Sequence, residues 1–266
     1  MTSDETHPFS PGDLTAGLLI EPELPPLLKG RRSLPGVSAV RAAVDGAQSH
    51  SLGAGDLIWT DDAGIAGFAI VLEPEVPLIE AAQVLPLSMA AVGDCIGVLT
   101  PPQVGLMYHW PNQVQVNGAL AGHTTLISAT SDQQEVPDWL VIAVEITLQF
   151  NPDADEPGHD LDRTALIEEG CEGLTAVEFI SSCSRHFLTW LNIWQNDGFR
   201  PVHQNWLERM AGRDAAIAVP LAGAEPVIVK GLDEDGGLLY ASGNGQTKSV
   251  PLLSAIHTED DIPTYP

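Results

Sequence analysis

Five consecutive residues, His109-Trp110-Pro111-Asn112-Gln113, place an imidazole, an indole and two carboxamides within one short stretch. An imidazole with a reference pKa near ~6.5 exchanges protons at neutral pH, so His109 is a candidate base or ligand-facing group, with a structural role as the plain alternative. Asn112 carries an amide that can serve an adenine edge or an acyl carboxyl, and equally can cap a turn. Trp110 offers a flat pocket wall or a core side chain. A hairpin downstream adds Ala119 and Gly122 to the same candidate ligand-binding set.

Other chemistry-bearing residues form weaker constellations. Cys95, Cys171 and Cys183 make an odd count with no metal-type spacing, so each reads as a reduced structural thiol. Cys171 lies in EEGCEG, where acidic neighbours raise a thiol pKa and slow its reactions. Asp61 and Asp62 are adjacent and tend to point apart, which argues against a catalytic carboxylate pair. Asp153, Asp155 and Glu156 are followed by Pro157 and Gly158, which interrupts the ligand spacing of a calcium loop. No metal site is expected.

Charge narrows the field. Thirty-six Asp and Glu stand against 11 Lys and Arg, for a formal net charge of -25 over 266 residues. Such a surface repels phosphate backbones and anionic lipid, so no nucleic-acid or membrane partner is expected. The hydrophobic share of 44% is that of a packed protein. The first residues lack a basic segment followed by an apolar one, so the expected compartment is the cytoplasm.

The elements that must position these residues follow from periodicity. Residues 1–16 are polar and read as disordered, and Leu18 to Leu28, with three prolines, reads as extended. Val37 to Gln48 has helical spacing, and Asp56 to Thr60 and Gly67 to Leu72 read as strands joined by a tight turn. Pro77 to Leu99 reads as one long buried helix rather than a membrane span, because Glu80, Pro86 and Asp94 interrupt it. Strands are expected at Gly105 to Trp110, Gln113 to Val116, Leu120 to Ala129 and Trp139 to Phe150. Asn117-Gly118 is a two-residue hairpin signal. Asn151 to Asp162 reads as a loop. Thr175 to Asn196 is the clearest helix, with a capping box at Thr175-x-x-Glu178 and a left-handed cap expected at Gly198. A short helix over His203 to Met210 follows. From Asp214 short strands alternate with glycine turns, as in a small barrel. The expected division is therefore 1–16 as a tail, 17–213 as the main domain and 214–266 as a barrel with a C-terminal tail.

His109-Trp110-Pro111-Asn112, a hairpin and then Ala121-Gly122 resemble the signature of biotin protein ligases, and the order of elements from Leu18 to Leu253 is similar to that of the biotin/lipoate A/B protein ligase superfamily. The resemblance implies an α+β fold: a mixed, mostly antiparallel sheet flanked by helices, plus a small C-terminal SH3-like β-barrel. It also implies a reaction that joins an acid to AMP and passes the acyl group to a lysine of a carrier protein.

That chemistry brings a carboxylate against a triphosphate, and cations must offset the repulsion. The sequence departs from the family's pattern in each place where they are expected. A Gly/Arg-rich loop is replaced by the turn Asp61 to Ala66. The Lys and Asp around Trp-Pro-Asn are His109 and Gln113, and the hairpin Lys falls at Ala119. From Ala42 to Asp162 there is no Lys or Arg. The expectation is a divergent member without ordinary ATP-dependent ligation, which binds a small acyl or biotin-like molecule, or a protein partner or second copy, through the retained pocket. One alternative is an active biotin-, lipoyl- or octanoyl-type ligase or acyltransferase with unorthodox residues, for which ATP and Mg would be the cofactors. The other is a structural dimerisation module.

Overall fold

The computed structural model describes residues 20–60, 62, 64–150, 161–223, 225–241 and 245–263. The expected N-terminal tail, Asp61 and most of the expected loop over Asn151 to Asp162 lie outside them. Lys29–Arg32 forms β1, an exposed edge strand. Ser38 caps α1 (Ala39–Gln48), its hydroxyl accepting from the Arg41 N–H, which satisfies one orphan donor of the first turn. Strands β2 (Asp56–Trp59) and β3 (Ile65–Leu72) follow, and Asp61 and Ala63 of the expected turn between them lie outside the described residues.

The long apolar helix is divided. It comprises α2 (Leu78–Ala81) and α3 (Val84–Leu99), with a break at Ala82 and Gln83. Pro86 explains the break, since it has no N–H to give the Ala82 carbonyl. Leu78–Leu99 is apolar enough by length and composition to cross a membrane, yet 78% of its most apolar stretch is buried against the rest of the protein. Asp94, its one charged residue beyond the first turns, meets Arg209 at 3.1 Å and accepts from Trp190 Nε1 at 2.8 Å.

Strands β4 (Leu106–His109), β5 (Gln113–Val116) and β6 (Ala119–Ser128) form a meander. Asn117 and Gly118 take φ of 50° and 90°, the positive values that a tight two-residue hairpin needs. Strand β7 (Leu140–Thr147) pairs with both β3 and β6. Helix α4 (Ala176–Asp197) carries the full capping box at Thr175 and Glu178. Gly198 ends it with φ 72° and ψ −166°, a positive φ but not the left-handed helical cap that its position predicts. Helix α5 (Arg200–Glu208) begins three residues before the predicted start, with Pro201 in its first turn, where a missing N–H costs no hydrogen bond.

The main sheet runs β1-β2-β3-β7-β6-β5-β4, with β1–β2 parallel and its other neighbours on that path antiparallel. It is the expected mixed, mostly antiparallel sheet. Helices α3, α4 and α5 pack on one face, in the larger core around Phe68, Met89, Phe179 and Trp206. Helix α1 covers part of the other face through Val40, Ala43 and Val44 against Ile58, Ala69, Val71 and Val141.

Strands β8 (Ala216–Ile217), β9 (Val227–Leu232), β10 (Leu238–Ala241) and β11 (Thr247–Val250) form a separate antiparallel sheet in the order β11-β10-β9-β8. Among the described residues β8 and β11 do not pair, so the barrel expectation is met as far as a four-stranded sheet. Strand β12 (His257–Thr258) then returns to the main sheet and pairs with β6 at Ile127 and Ser128. The C-terminal tail is thus a strap across the main domain.

Candidate functional site

Strand alternation defines what the uncovered part of the α1 face presents. Along β7 that face runs Val141, Ala143, Glu145, Thr147, and along β3 Val71, Ala69, Gly67, Ile65. Along β6 it includes Ile127 and His123. Helix α1 covers the first positions of each series, and none of its apolar contacts reach the last. There the register sets His123 opposite both Glu145 on β7 and Gln113 on β5. A cavity of about 190 Å³ opens at this place, lined by Gln113, Gly122, His123, Glu145, Thr147 and Arg163 together with Ile65, Leu120 and Ile146.

Four of these polar residues, His123, Glu145, Thr147 and Arg163, escaped the sequence reading. His123 is 9% exposed, with Nε2 2.9 Å from Glu145 Oε2. Arg163 arrives from the segment after the undescribed loop. The Leu120 N–H donates to the Asp162 carbonyl at 2.7 Å and the Thr164 N–H to the Leu120 carbonyl at 2.9 Å, which pins the stretch beside β6. Arg163 is therefore the one Lys or Arg lining the cavity, although the cation-free run ends one residue before it. The one charged residue in the mostly apolar strand WLVIAVEITLQF was the available signal for Glu145.

The candidate residues named from the sequence divide. Gln113 and Gly122 line the cavity. Gly122 also lets β6 approach β7, since a Cβ there would lie 2.2 Å from the Glu145 carbonyl oxygen. Ala119 opens β6 opposite Val116, beside Leu120, and brings no charge. Trp110 points elsewhere: it is buried, and its Nε1 donates to the Gly236 carbonyl in the C-terminal sheet at 3.1 Å. Pro111 follows through a cis peptide bond. Asn112 holds the turn to β6, its Nδ2 donating to the Thr124 carbonyl at 2.8 Å while its own carbonyl accepts from the Thr124 N–H at 2.9 Å. His109 is half-buried, with hydrogen bonds to the backbone of Trp110 and Ala218, and burial pulls its pKa below the ordinary imidazole value. At neutral pH it is an uncharged residue facing the C-terminal segment.

Among the described residues no group of three or more His, Cys, Asp or Glu is placed to hold a metal ion. All three cysteines are buried free thiols, and none lines the cavity. A second, larger concavity of about 760 Å³ lies between residues 20–23, the end of α3 and the start of α4. Its lining includes Glu21, Glu23, Glu172 and Glu178, with Arg185 and Cys171. Burial, then Glu169, raises the Cys171 thiol pKa, so this groove offers no activated nucleophile.

The model of the biotin/lipoate A/B protein ligase family matches residues 24–208. The chain belongs to this family. Among its relatives, a biotin–[acetyl-CoA-carboxylase] ligase of Paracoccus denitrificans is 27% identical over 191 residues, 71% of this chain and 78% of that one. The crystal structure of a biotin protein ligase-like protein of unknown function from Silicibacter sp. TM1040 superposes with a TM-score of 0.79 at 30% identity, covering 88% of this chain and 98% of that one. The biotin protein ligase of Aquifex aeolicus in complex with biotin and ATP gives a TM-score of 0.62 at 17% identity, over 84% and 94% of the two chains. At that identity the Aquifex likeness is one of fold. The matched residues 24–208 take in strands β1 to β7 of the main sheet and helices α1 to α5, while the separate C-terminal sheet lies beyond them.

Proposed function

We propose that this chain is a divergent family member that binds a small acyl or biotin-like molecule in the sheet-face cavity and does not carry out ordinary ATP-dependent ligation. The observation that carries this reading is the charge of the site. Residues 42–162 supply no Lys or Arg, the cavity presents the Glu145 carboxylate, and one cation, Arg163, stands on its wall. Adenylation needs positive charge around a carboxylate and a triphosphate, and loss of one such stabilising group typically costs about 3–4 kcal/mol of transition-state stabilisation. His109, neutral and turned toward Ala218, does not replace the missing charge. The turn between β2 and β3 leaves little chain to close over a nucleotide, since the two strands end and begin at Trp59 and Ile65. A volume of about 190 Å³ suits the head of a small ligand rather than a complete acyl-adenylate. We read the C-terminal sheet as the SH3-like barrel of the family, and the three free thiols as those of a protein of the cytoplasm.

The second reading is an active acyl-protein ligase. Identity of 27% to a Paracoccus biotin ligase and the presence of Arg163 in the cavity favour it. ATP–pyrophosphate exchange with magnesium, run with biotin, lipoate and octanoate beside an active ligase, decides between the two. The expected result is no acid-dependent exchange from folded protein. Exchange stimulated by any of the three acids overturns the proposal.

A further inference from the structure

Glu145 is the one acidic residue in β7, and it stands in the middle of a sheet between two strands rather than at an edge. Its side chain is 35% exposed, into the cavity, while every neighbour before it on the α1 face is apolar. A carboxylate placed on a cavity floor is costly unless its oxygens are hydrogen-bonded. His123 Nε2 lies 2.9 Å from Oε2, within ion-pair distance but without the alignment of a hydrogen bond. A carboxylate offers about four acceptor sites, so capacity remains for donors brought by an occupant. The rest of the lining is mixed: Ile65, Leu120 and Ile146 give apolar surface for an alkyl or ring carbon, and Gln113 and Thr147 give neutral polar groups.

We propose that Glu145 makes this cavity selective for the N–H-bearing end of a small ligand, a cyclic urea or an amine, against a ligand whose head carries no hydrogen-bond donor. The inference rests on reading the cavity as a ligand site and assigns the residue that sets its preference. A head with N–H groups gives the carboxylate the donors it loses when water leaves. A donor-free head removes the water and returns nothing, so the carboxylate is desolvated without a partner. Arg163 on the same wall keeps the acid end of a ligand from meeting Glu145 as the only charge present.

Biotin and lipoate form a matched pair for the test. Each has a five-membered sulfur-containing ring and a five-carbon acid tail, and biotin adds a cyclic urea with two N–H groups. Binding of both to the full chain is measured by titration calorimetry, with 1,5-diaminopentane as the amine arm. Biotin or the diamine is expected to bind about tenfold or more tightly than lipoate, the ratio expected of one hydrogen bond to a charged acceptor. Tighter binding of the diamine, weakened by salt, assigns the preference to a cationic head, and tighter binding of biotin to a neutral urea. Glu145→Leu is expected to abolish or reverse the preference, and Glu145→Gln, which keeps shape and one acceptor, to reduce it. Thermal melts establish that each variant is folded, and the Gln variant carries the test if the Leu variant is not. Lipoate binding as tightly as both N–H ligands, or a ratio unchanged in the folded variants, overturns the role of Glu145 while leaving a ligand site in place. Binding of none of the three withdraws the ligand reading and this inference together.

Discussion

Trp110 Nε1 donates to the Gly236 carbonyl at 3.1 Å, so the most conspicuous side chain of the Trp-Pro-Asn run ties the main domain to the C-terminal sheet instead of lining the cavity. Its indole is 3% exposed, and Gly236 itself takes a positive φ of 88°. Together with the hydrogen bonds of Asn112 to Thr124, this makes the motif a joint: it turns β4 into β5, fastens the turn to β6 and docks the second sheet.

Trp110→Phe is therefore expected to cost stability rather than ligand affinity. It removes a buried hydrogen bond, strands the Gly236 carbonyl and leaves a void, a loss of about 1–3 kcal/mol. Urea unfolding should show a lower midpoint, while binding at the Glu145 cavity changes less than twofold.

Gly122→Ala should be among the most damaging single-methyl changes in the chain. The new Cβ would lie 2.2 Å from the Glu145 carbonyl oxygen and 2.9 Å from the Ile146 Cα, both backbone atoms of the paired strand. Relief requires β6 and β7 to part where they form the cavity floor. A destabilisation of about 2 kcal/mol or more is expected by chemical denaturation, with weaker ligand binding in any fraction that folds.

Asp94 joins three elements, through Arg209 of the residues following α5 at 3.1 Å and Trp190 of α4 at 2.8 Å. Arg209 also donates to Asn205 Oδ1 at 2.7 Å. Asp94→Ala should cost about 1–3 kcal/mol, because the indole N–H loses its acceptor and the guanidinium loses its countercharge in a half-buried place. Asp94→Asn should restore part of the loss by keeping an acceptor for Trp190. A double-mutant cycle with Arg209→Met isolates the ionic share.

The capping box should give α4 an acid-labile contribution. The Thr175 N–H and then its hydroxyl donate to the Glu178 carboxylate, and they hold its pKa below the usual carboxylate value. A carboxylate whose folded pKa is depressed stabilises the fold at pH values above its unfolded pKa, near ~4.3, and that contribution is lost as pH falls through the folded value. The stability difference between the native protein and Glu178→Gln should hold steady from neutral pH to mild acid and close below the unfolded pKa. Thr175→Ala should cost about 1 kcal/mol at neutral pH. Denaturant midpoints across pH check both.

Local chemistry explains why so much of the scaffold was legible. The Asn117-Gly118 turn, the Thr175–Glu178 box, the short apolar runs of β3 and β7 and the period-3.6 stripe of α4 each specify their geometry within a few residues. The break between α2 and α3 was missed although Pro86 carried the signal, because a run so apolar reads as one element. Cation depletion, too, was a property of the sequence alone: no fold can put a Lys or Arg into residues 42–162.

What the sequence could not decide was which side chains meet. The pairing of His123 with Glu145 depends on the register of β6 on β7, across 22 residues of chain, and the return of Arg163 depends on a bridge to Leu120. The same holds for Trp110, whose partner Gly236 lies 126 residues away. Secondary structure follows from steric and hydrogen-bonding preferences that act between near neighbours. The candidate site follows from long-range packing, in which a one-residue slip would turn His123 and Glu145 from the cavity into the helical core.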